Sequence, residues 1–325
     1  MSVEANTKKN VMFSVEHLSK SLGGREILHD ITFEAYAGEV FGLLGPNGAG
    51  KTTTIKIAVG MLMLDDGTIR IAGHDLRREY ESAMTCLGGI VENPEFYKYM
   101  SGWDNLLQYA RVRRRKIDEK RIREVVHLVG LENRIHDKVG KYSLGMRQRL
   151  GVAQAILGDP KVLILDEPTN GLDPAGIKEL RDIFKKLAHE SGCAVIVSSH
   201  LMSEMEMMCD RVGVIVNGSL KCVNTTEELL SAAAADSADF ILRVSDVQAA
   251  YASLDFLDER CRNITDEGTL EVIVPKEGAD TLMARINRTV MSAGIELYTV
   301  SAKENKKLED VFIQMTGIEG GGQIA

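Results

Sequence analysis

The sequence predicts an α/β fold followed by a small α+β domain, on three observations. First, a strand-like run of Val40, Phe41, Leu43 and Leu44 leads into Gly45-Pro46-Asn47-Gly48-Ala49-Gly50-Lys51-Thr52-Thr53, after which Thr53, Ile55, Ile57 and Ala58 continue a helix-compatible segment. Strand, glycine-rich loop and helix form the context of a phosphate-binding loop, and the first Gly stands four free positions ahead of Gly-Lys-Thr. Second, Val162-Leu163-Ile164-Leu165 and Ala194-Val195-Ile196-Val197 are continuous apolar runs, as expected of strands buried on both faces. Third, the composition changes near residue 225, and a second series of strand and helix candidates begins.

With 325 residues the chain has room for two domains, and 44% hydrophobic residues suffices for ordinary cores. A net charge of -8 argues against nucleic acid, whose phosphates attract basic surfaces. The five cysteines are scattered without metal-ligand spacing and read as reduced thiols of a cytosolic protein. No apolar run approaches the roughly 20 residues of a membrane span, so the chain is expected to be soluble.

In chain order, residues 11–16 and 31–34 read as edge strands of a small β layer, separated by Gly23-Gly24. Gly38-Glu39 turns the chain into the strand that feeds the phosphate loop. In that loop glycines let backbone N–H groups point inward around an anion, and the positive end of the following helix faces the same point. Asn47, Gly48, Gly50, Lys51, Thr52 and Thr53 are therefore candidate nucleotide ligands. Lys51 would reach the terminal phosphates, and the Thr52 hydroxyl would coordinate a bridging Mg²⁺. Leu64-Asp65-Asp66-Gly67-Thr68 is a turn into a strand over Ile69 to Ala72.

From about residue 93 to 159 the pattern becomes helical, with Arg121 to Val129 a clear segment, and reads as an inserted helical subdomain. Arg111, Arg113, Arg114, Arg115 and Lys116 lack interleaved aromatics and precede Asp118 and Glu119, so they read as a solvated helix face. Phe96, Tyr97, Tyr99, Met100 and Trp103 crowd a stretch with Pro94 and Gly102. Two readings stand there: packing between subdomains, or a docking groove for a partner helix. The apolar run at 162–165 ends in Asp166-Glu167, two carboxylates at the edge where open α/β sheets bind ligands. Asp166 can hold Mg²⁺ through water, and Glu167 can polarise the attacking water. The run at 194–197 ends in Ser198-Ser199-His200, which puts His200 at the same edge, level with a γ-phosphate.

The nucleotide-binding domain is set at 1–224, with a linker at 225–238, an accessory α+β domain at 239–318 and a disordered glycine-rich tail at 319–325. Phe240 to Val244, Leu270 to Val274 and Ile295 to Val300 are strand candidates. Helices are expected around Val247 to Leu254 and Asp280 to Ala293, the latter closed by Gly294. A last helix carries Leu308, Val311, Phe312 and Met315 on one face and stops at Gly317. The set fits a small α+β sandwich of ferredoxin-like type.

Across roughly its first 225 residues the chain resembles the nucleotide-binding subunit of ATP-binding cassette (ABC) transporters. The phosphate loop and the Leu165-Asp166-Glu167-Pro168 strand end look like the family's Walker A and Walker B elements. Tyr142-Ser143-Leu144-Gly145-Met146-Arg147-Gln148-Arg149 is similar to its signature loop, Asn170-Gly171-Leu172-Asp173 to its D-loop, and His200 to its switch histidine. The resemblance implies an ABC-type phosphate-loop ATPase using ATP and Mg²⁺, with Glu167 as general base. It also implies that Ser143, Gly145 and Asp173 serve an ATP shared with a second ATP-binding subunit, as in a head-to-tail homodimer. The remaining partners implied are integral-membrane permease subunits, which would keep the chain at the inner face of the cell membrane.

Two positions depart from the family pattern. Glu92 stands where a Gln is usual, and its carboxylate could still bind Mg²⁺ or orient water. Leu22 stands where an aromatic stacks on adenine, so that stacking face is absent. Glu92, the Tyr-Ser-Leu-Gly-Met signature and Ser101-Gly102-Trp103-Asp104-Asn105-Leu106 look most like the bacitracin-export and lantibiotic-immunity branch. Alternatives are a soluble cassette acting on ribosome or DNA, and an ATP-gated immunity switch.

Overall fold

The computed structural model describes residues 10–113, 116–229, 237–258, 261–265 and 268–302. The expected last helix and glycine-rich tail, residues 230–236 of the expected linker, and Arg114 and Arg115 of the basic cluster lie outside the described residues. The chain divides into two units, Met1–Thr225 and Thr226–Ala325.

In the first unit Gly23 and Gly24, at φ 59° and 79°, turn strand β1 (Val11–Leu22) into β2 (Arg25–Tyr36). β3 (Val40–Leu44) then enters the interior. β4 (Asp66–Ile71) and β5 (His74–Asp75) complete an antiparallel layer of order β2-β1-β4-β5. β1 is thus an interior strand, which corrects its reading as an edge. It pairs on both sides because buried Phe13 and Val15 meet Ile71 and Ile69 of β4 as well as the hairpin partner.

A second sheet has β3 near its centre, with β6 (Leu87–Ile90), β7 (Val162–Asp166), β8 (Ala194–Ser199), β9 (Arg211–Val216) and β10 (Ser219–Thr225). Its order is β10-β9-β3-β8-β7-β6, parallel except for β10. All residues of β3, β7 and β8 are buried, as their unbroken apolar runs require. Phe33 of the antiparallel layer stacks on Phe41 of β3 at a centroid distance of 5.1 Å and 3° between planes, which locks the two sheets together.

Helices α1 (Lys51–Ala58) and α2 (Tyr80–Thr85) belong to the core. α3 (Gly102–Val112), α4 (Glu119–Leu128) and α5 (Leu144–Ile156) fall in the expected helical segment. Ser101 caps α3 by accepting from Asp104 N, and Asp118 caps α4 by accepting from Arg121 N. α4 buries Ile122, Val125 and Val126, the i, i+3, i+4 stripe of an amphipathic helix. Arg111 and Val112 are exposed, but Arg113 is half-buried against Gly158, where a Cβ would lie 2.3 Å from its Nη1. The basic cluster is therefore not a uniformly solvated face: a side-chain-free position at Gly158 draws one arginine inward. α6 (Pro174–Lys185) and α7 (Met202–Met208) follow β7 and β8.

The second unit runs β11 (Ser237–Val244), α8 (Val247–Ser253), β12 (Arg262–Ile264), β13 (Leu270–Pro275), α9 (Ala279–Ser292) and β14 (Leu297–Ala302). Its antiparallel order β12-β13-β11-β14 is that of a ferredoxin-like βαββαβ unit. Ser237 and Ala238, expected in the linker, already pair with Pro275 and Val274 as strand. α9 buries Met283, Ile286 and Val290 beside Leu242, Leu270 and Val272.

Phe41→Ala would remove one ring of the stack and leave a cavity between the sheets. It should cost the first unit about 3–5 kcal/mol. Trp103, the single tryptophan of the chain, lies in that unit, so denaturant melts followed by its fluorescence read this loss without contribution from the second unit.

Candidate functional site

The loop between β3 and α1 is shaped by two glycines. A Cβ at Gly45 would fall 2.2 Å from the Ile215 carbonyl oxygen. Gly50 has φ 110° and would drive a Cβ to 2.6 Å from Leu28. Only glycine lets the backbone pass here and open directly into α1, whose first amides face the loop.

Lys51 folds back into the loop. Its side chain is 5% exposed, and Nζ donates to the Gly45 carbonyl at 2.6 Å and the Pro46 carbonyl at 3.2 Å. Burial pulls the Lys51 pKa below the ordinary lysine value, and the Glu167 carboxylate, 3.6 Å away, partly opposes this. At the end of β7, Asp166 Oδ1 accepts from Thr52 Oγ1 at 3.3 Å and from Ser198 Oγ at 2.6 Å. Ser198 Oγ in turn accepts from Glu167 N at 3.0 Å. Glu167 takes a left-handed turn, φ 46°, which points its carboxylate back over the loop. There Oε2 lies 2.9 Å from His200 Nδ1.

These groups surround one cavity of about 580 Å³. Asn47, Gly48, Gly50, Lys51, Thr52, Thr53, Glu167 and His200 line it, and Asp166 sits beneath, touching Thr52. Leu22 and Ile27 give it an aliphatic wall.

The other candidates lie elsewhere. Ser143 caps α5 by accepting from Met146 N at 3.2 Å, and Asp173 caps α6 by accepting from Gly176 N at 3.1 Å. Gly145 faces Leu172. Glu92 follows β6 at φ 62°, and its Oε1 is 2.8 Å from Lys56 Nζ on the outer side of α1. Its side chain is 69% exposed, and the Lys56 ammonium holds the carboxyl below the usual range. Ser198, Asn170 and Ile27 receive no site role in the sequence reading, although the first two stand in motifs it names. Ser198 reaches Asp166 only because β7 and β8 pair in parallel with the two residues opposite each other, a register that no local pattern announces.

The donor set fits a nucleotide with Mg²⁺. A glycine-shaped helix N-terminus with a buried ammonium suits phosphate oxygens. A hydroxyl and a carboxylate oxygen in contact suit a hard cation that keeps waters and shares phosphate ligands. Among the described residues no cluster of three or more His, Cys, Asp or Glu forms an all-protein metal cage.

The sequence pattern of the family described as ABC transporter matches residues 28–170. The uncharacterized ABC transporter ATP-binding protein YhcH of Bacillus subtilis (strain 168) is 48% identical over 94% of this chain and 96% of its own length. The chain belongs to the ABC transporter ATP-binding proteins. The bacitracin transport ATP-binding protein BcrA of Bacillus licheniformis is 34% identical over 94% of this chain and 97% of its own. The solved structure of cbiO1 from Clostridium perfringens, part of the ABC transporter complex cbiONQ, superposes with a TM-score of 0.64 at 26% identity, covering 69% of this chain and 92% of that one. The ABC transporter ATP-binding proteins are a family of ATPases whose hydrolysis is coupled to transport. Among the described residues no helix is long and apolar enough to cross a membrane.

In this ABC subunit Ser198→Ala deletes the donor to Asp166 and the acceptor of Glu167 N together. The expected cost is about 1–3 kcal/mol of unfolding free energy. ATP affinity should be retained, because Ser198 does not line the cavity, while turnover falls; chemical denaturation, equilibrium ATP binding and phosphate release read the three quantities separately.

Proposed function

We propose that this chain is the ATP-hydrolysing motor of an exporter whose permease is a separate polypeptide, and that it works as a head-to-tail pair with a second copy of itself. The observation that supports pairing is the separation between one complete half-site and a second set of anion-binding features. Lys51, Thr52, Glu167 and His200 line one cavity. The N-terminus of the 13-residue helix α5, with Ser143 and Gly145, is capped only locally and lines no part of that cavity. Facing a second copy, Ser143, Gly145 and Asp173 would close over the γ-phosphate held by the other chain's loop.

In hydrolysis Lys51 exchanges its loop carbonyls for the outer phosphates, which give its desolvated ammonium anionic partners in addition to Glu167. Thr52 and Asp166 hold Mg²⁺, which when bound screens the phosphate charge. Glu167 takes the proton of the attacking water, and His200 fixes that carboxylate from the other side. Glu92 can join as a water or metal ligand only by leaving Lys56.

The permease contact is assigned to the aromatic stretch. Tyr97 and Tyr99 are 53% and 69% exposed, beside a groove of about 340 Å³ lined by Pro94, Phe96, Lys98, Leu144, Arg147 and Gln148. This contact would hold the chain peripherally at the inner membrane face. The name of BcrA, a bacitracin transport protein, supports a peptide antibiotic or drug as the cargo class.

Glu167→Gln keeps the shape of the side chain but removes the base. Turnover should drop about 10²- to 10⁴-fold, and size-exclusion chromatography with ATP and Mg²⁺ should show a stable dimer. Undiminished turnover, or a monomer under saturating ATP, contradicts the scheme.

A further inference from the structure

Helix α7 carries a carboxylate that the ATP-site reading leaves unexplained. Glu204 is 5% exposed and stands third in the helix, where a glutamate ordinarily reaches back to the N-cap amide. Here that amide, Leu201 N, is taken by Ser199 Oγ at 3.0 Å. Glu204 Oε2 instead accepts from Thr169 Oγ1 at 2.5 Å and lies 3.4 Å from Ser199 Oγ. Thr169 and Ser199 are 3% and 1% exposed. A carboxylate so deeply buried is costly to keep unless its contacts matter.

The positions of these contacts suggest why it is kept. Ser199 and Leu201 flank His200, and both are held by the network. Thr169 belongs to the turn that begins at Glu167, closed by Asn170 N on the Glu167 carbonyl at 3.2 Å and by Leu172 N on the Thr169 carbonyl at 3.1 Å. The chain Leu201 N, Ser199 Oγ, Glu204 Oε2, Thr169 Oγ1 therefore ties the backbone around His200 to the turn that carries Glu167. The direct contact of the two functional side chains is the 2.9 Å pair of His200 and Glu167, both partly solvent-exposed. The buried network lies behind it.

We propose that Glu204 is a positioning residue for ATP hydrolysis, which holds the His200 and Glu167 turns at a fixed separation through Ser199 and Thr169. This inference rests on the roles assigned above to His200 and Glu167. It requires that loss of the network lower kcat while leaving ATP binding intact, because Lys51, Thr52 and the glycine loop do not touch it.

The test measures steady-state ATP turnover and equilibrium ATP binding of the full-length chain in Glu204→Ala, Glu204→Gln, Thr169→Val, the Thr169→Val/Glu204→Ala double variant and His200→Ala. Breaking a hydrogen bond to a charged group corresponds to about a 10- to 100-fold fall in kcat. That fall is expected for Glu204→Ala and for Thr169→Val, with ATP affinity unchanged. The double variant should be no worse than the poorer single one, as for two ends of one link. Glu204→Gln, whose amide oxygen can still accept from both hydroxyls, should recover most of the rate. Losses that multiply in the double variant, a fall in ATP affinity that accounts for the lost rate, or wild-type kcat in Thr169→Val each overturn the proposal. Thr169→Val decides the matter if Glu204→Ala does not fold. Wild-type kcat in His200→Ala would instead refute the role of His200, whereas a slow His200→Ala beside a fast Thr169→Val refutes only the role of Glu204.

Discussion

Strands β3, β7 and β8 run parallel and in register, with Leu44 opposite Ser199 and Asp166 opposite Ser198. A slip of one residue would take Asp166 from opposite Ser198 and exchange the side chains packed on the two buried faces. Everything chemical in the first unit hangs from that register. The glycine loop, the Asp166-Glu167 pair and the Ser198-Ser199-His200 run all leave the sheet at one edge, and the hydrogen bond from Ser198 to Asp166 is the cross-strand expression of their alignment. The stacked Phe33 and Phe41 extend the constraint to the antiparallel layer, which brings Leu22 and Ile27 to the same cavity.

Within this frame the site is charged but unbalanced. Lys51 is buried with loop carbonyls as its close partners and one carboxylate at 3.6 Å, and burial wins over attraction in setting its pKa. An anion of higher charge entering the loop would find an ammonium already desolvated and a helix N-terminus already aimed, so little reorganisation is left for binding to supply. The same economy explains the glycines. Side chains at positions 45 and 50 would occupy space that backbone and Leu28 already fill.

What the sequence discloses and what it hides divide along the same line. The phosphate loop, the buried strands with Asp166 and His200 at their ends, and the helix periods of α4 and α9 are local patterns, readable within a few residues of each feature. Properties set by pairing are not. β1 reads as an edge until β4 is seen on its far side, Ser198 reads as an ordinary strand end, and nothing local to Glu204 signals its contact with Thr169, 35 residues away. β12, three residues long and polar in two of them, carries too little apolar alternation to signal a strand. Arg113 turns inward only because residue 158, distant in sequence, lacks a side chain.

The two glutamates outside the cavity differ in a way that bears on motion. Glu204 is buried and bonded to hydroxyls that are buried themselves. Glu92 sits at a left-handed backbone angle with its carboxylate in solvent, paired with a lysine that water also solvates. An exposed ion pair is screened and easily exchanged, and a non-glycine residue at positive φ keeps a local conformational cost that an alternative backbone state would release. The contact at Glu92 is thus cheap to break, whereas the link between the Glu167 and His200 turns runs through one that is costly to break. An easily exchanged contact therefore stands where the chain leaves β6 for the helical segment, and a tightly held one stands between the Glu167 and His200 turns.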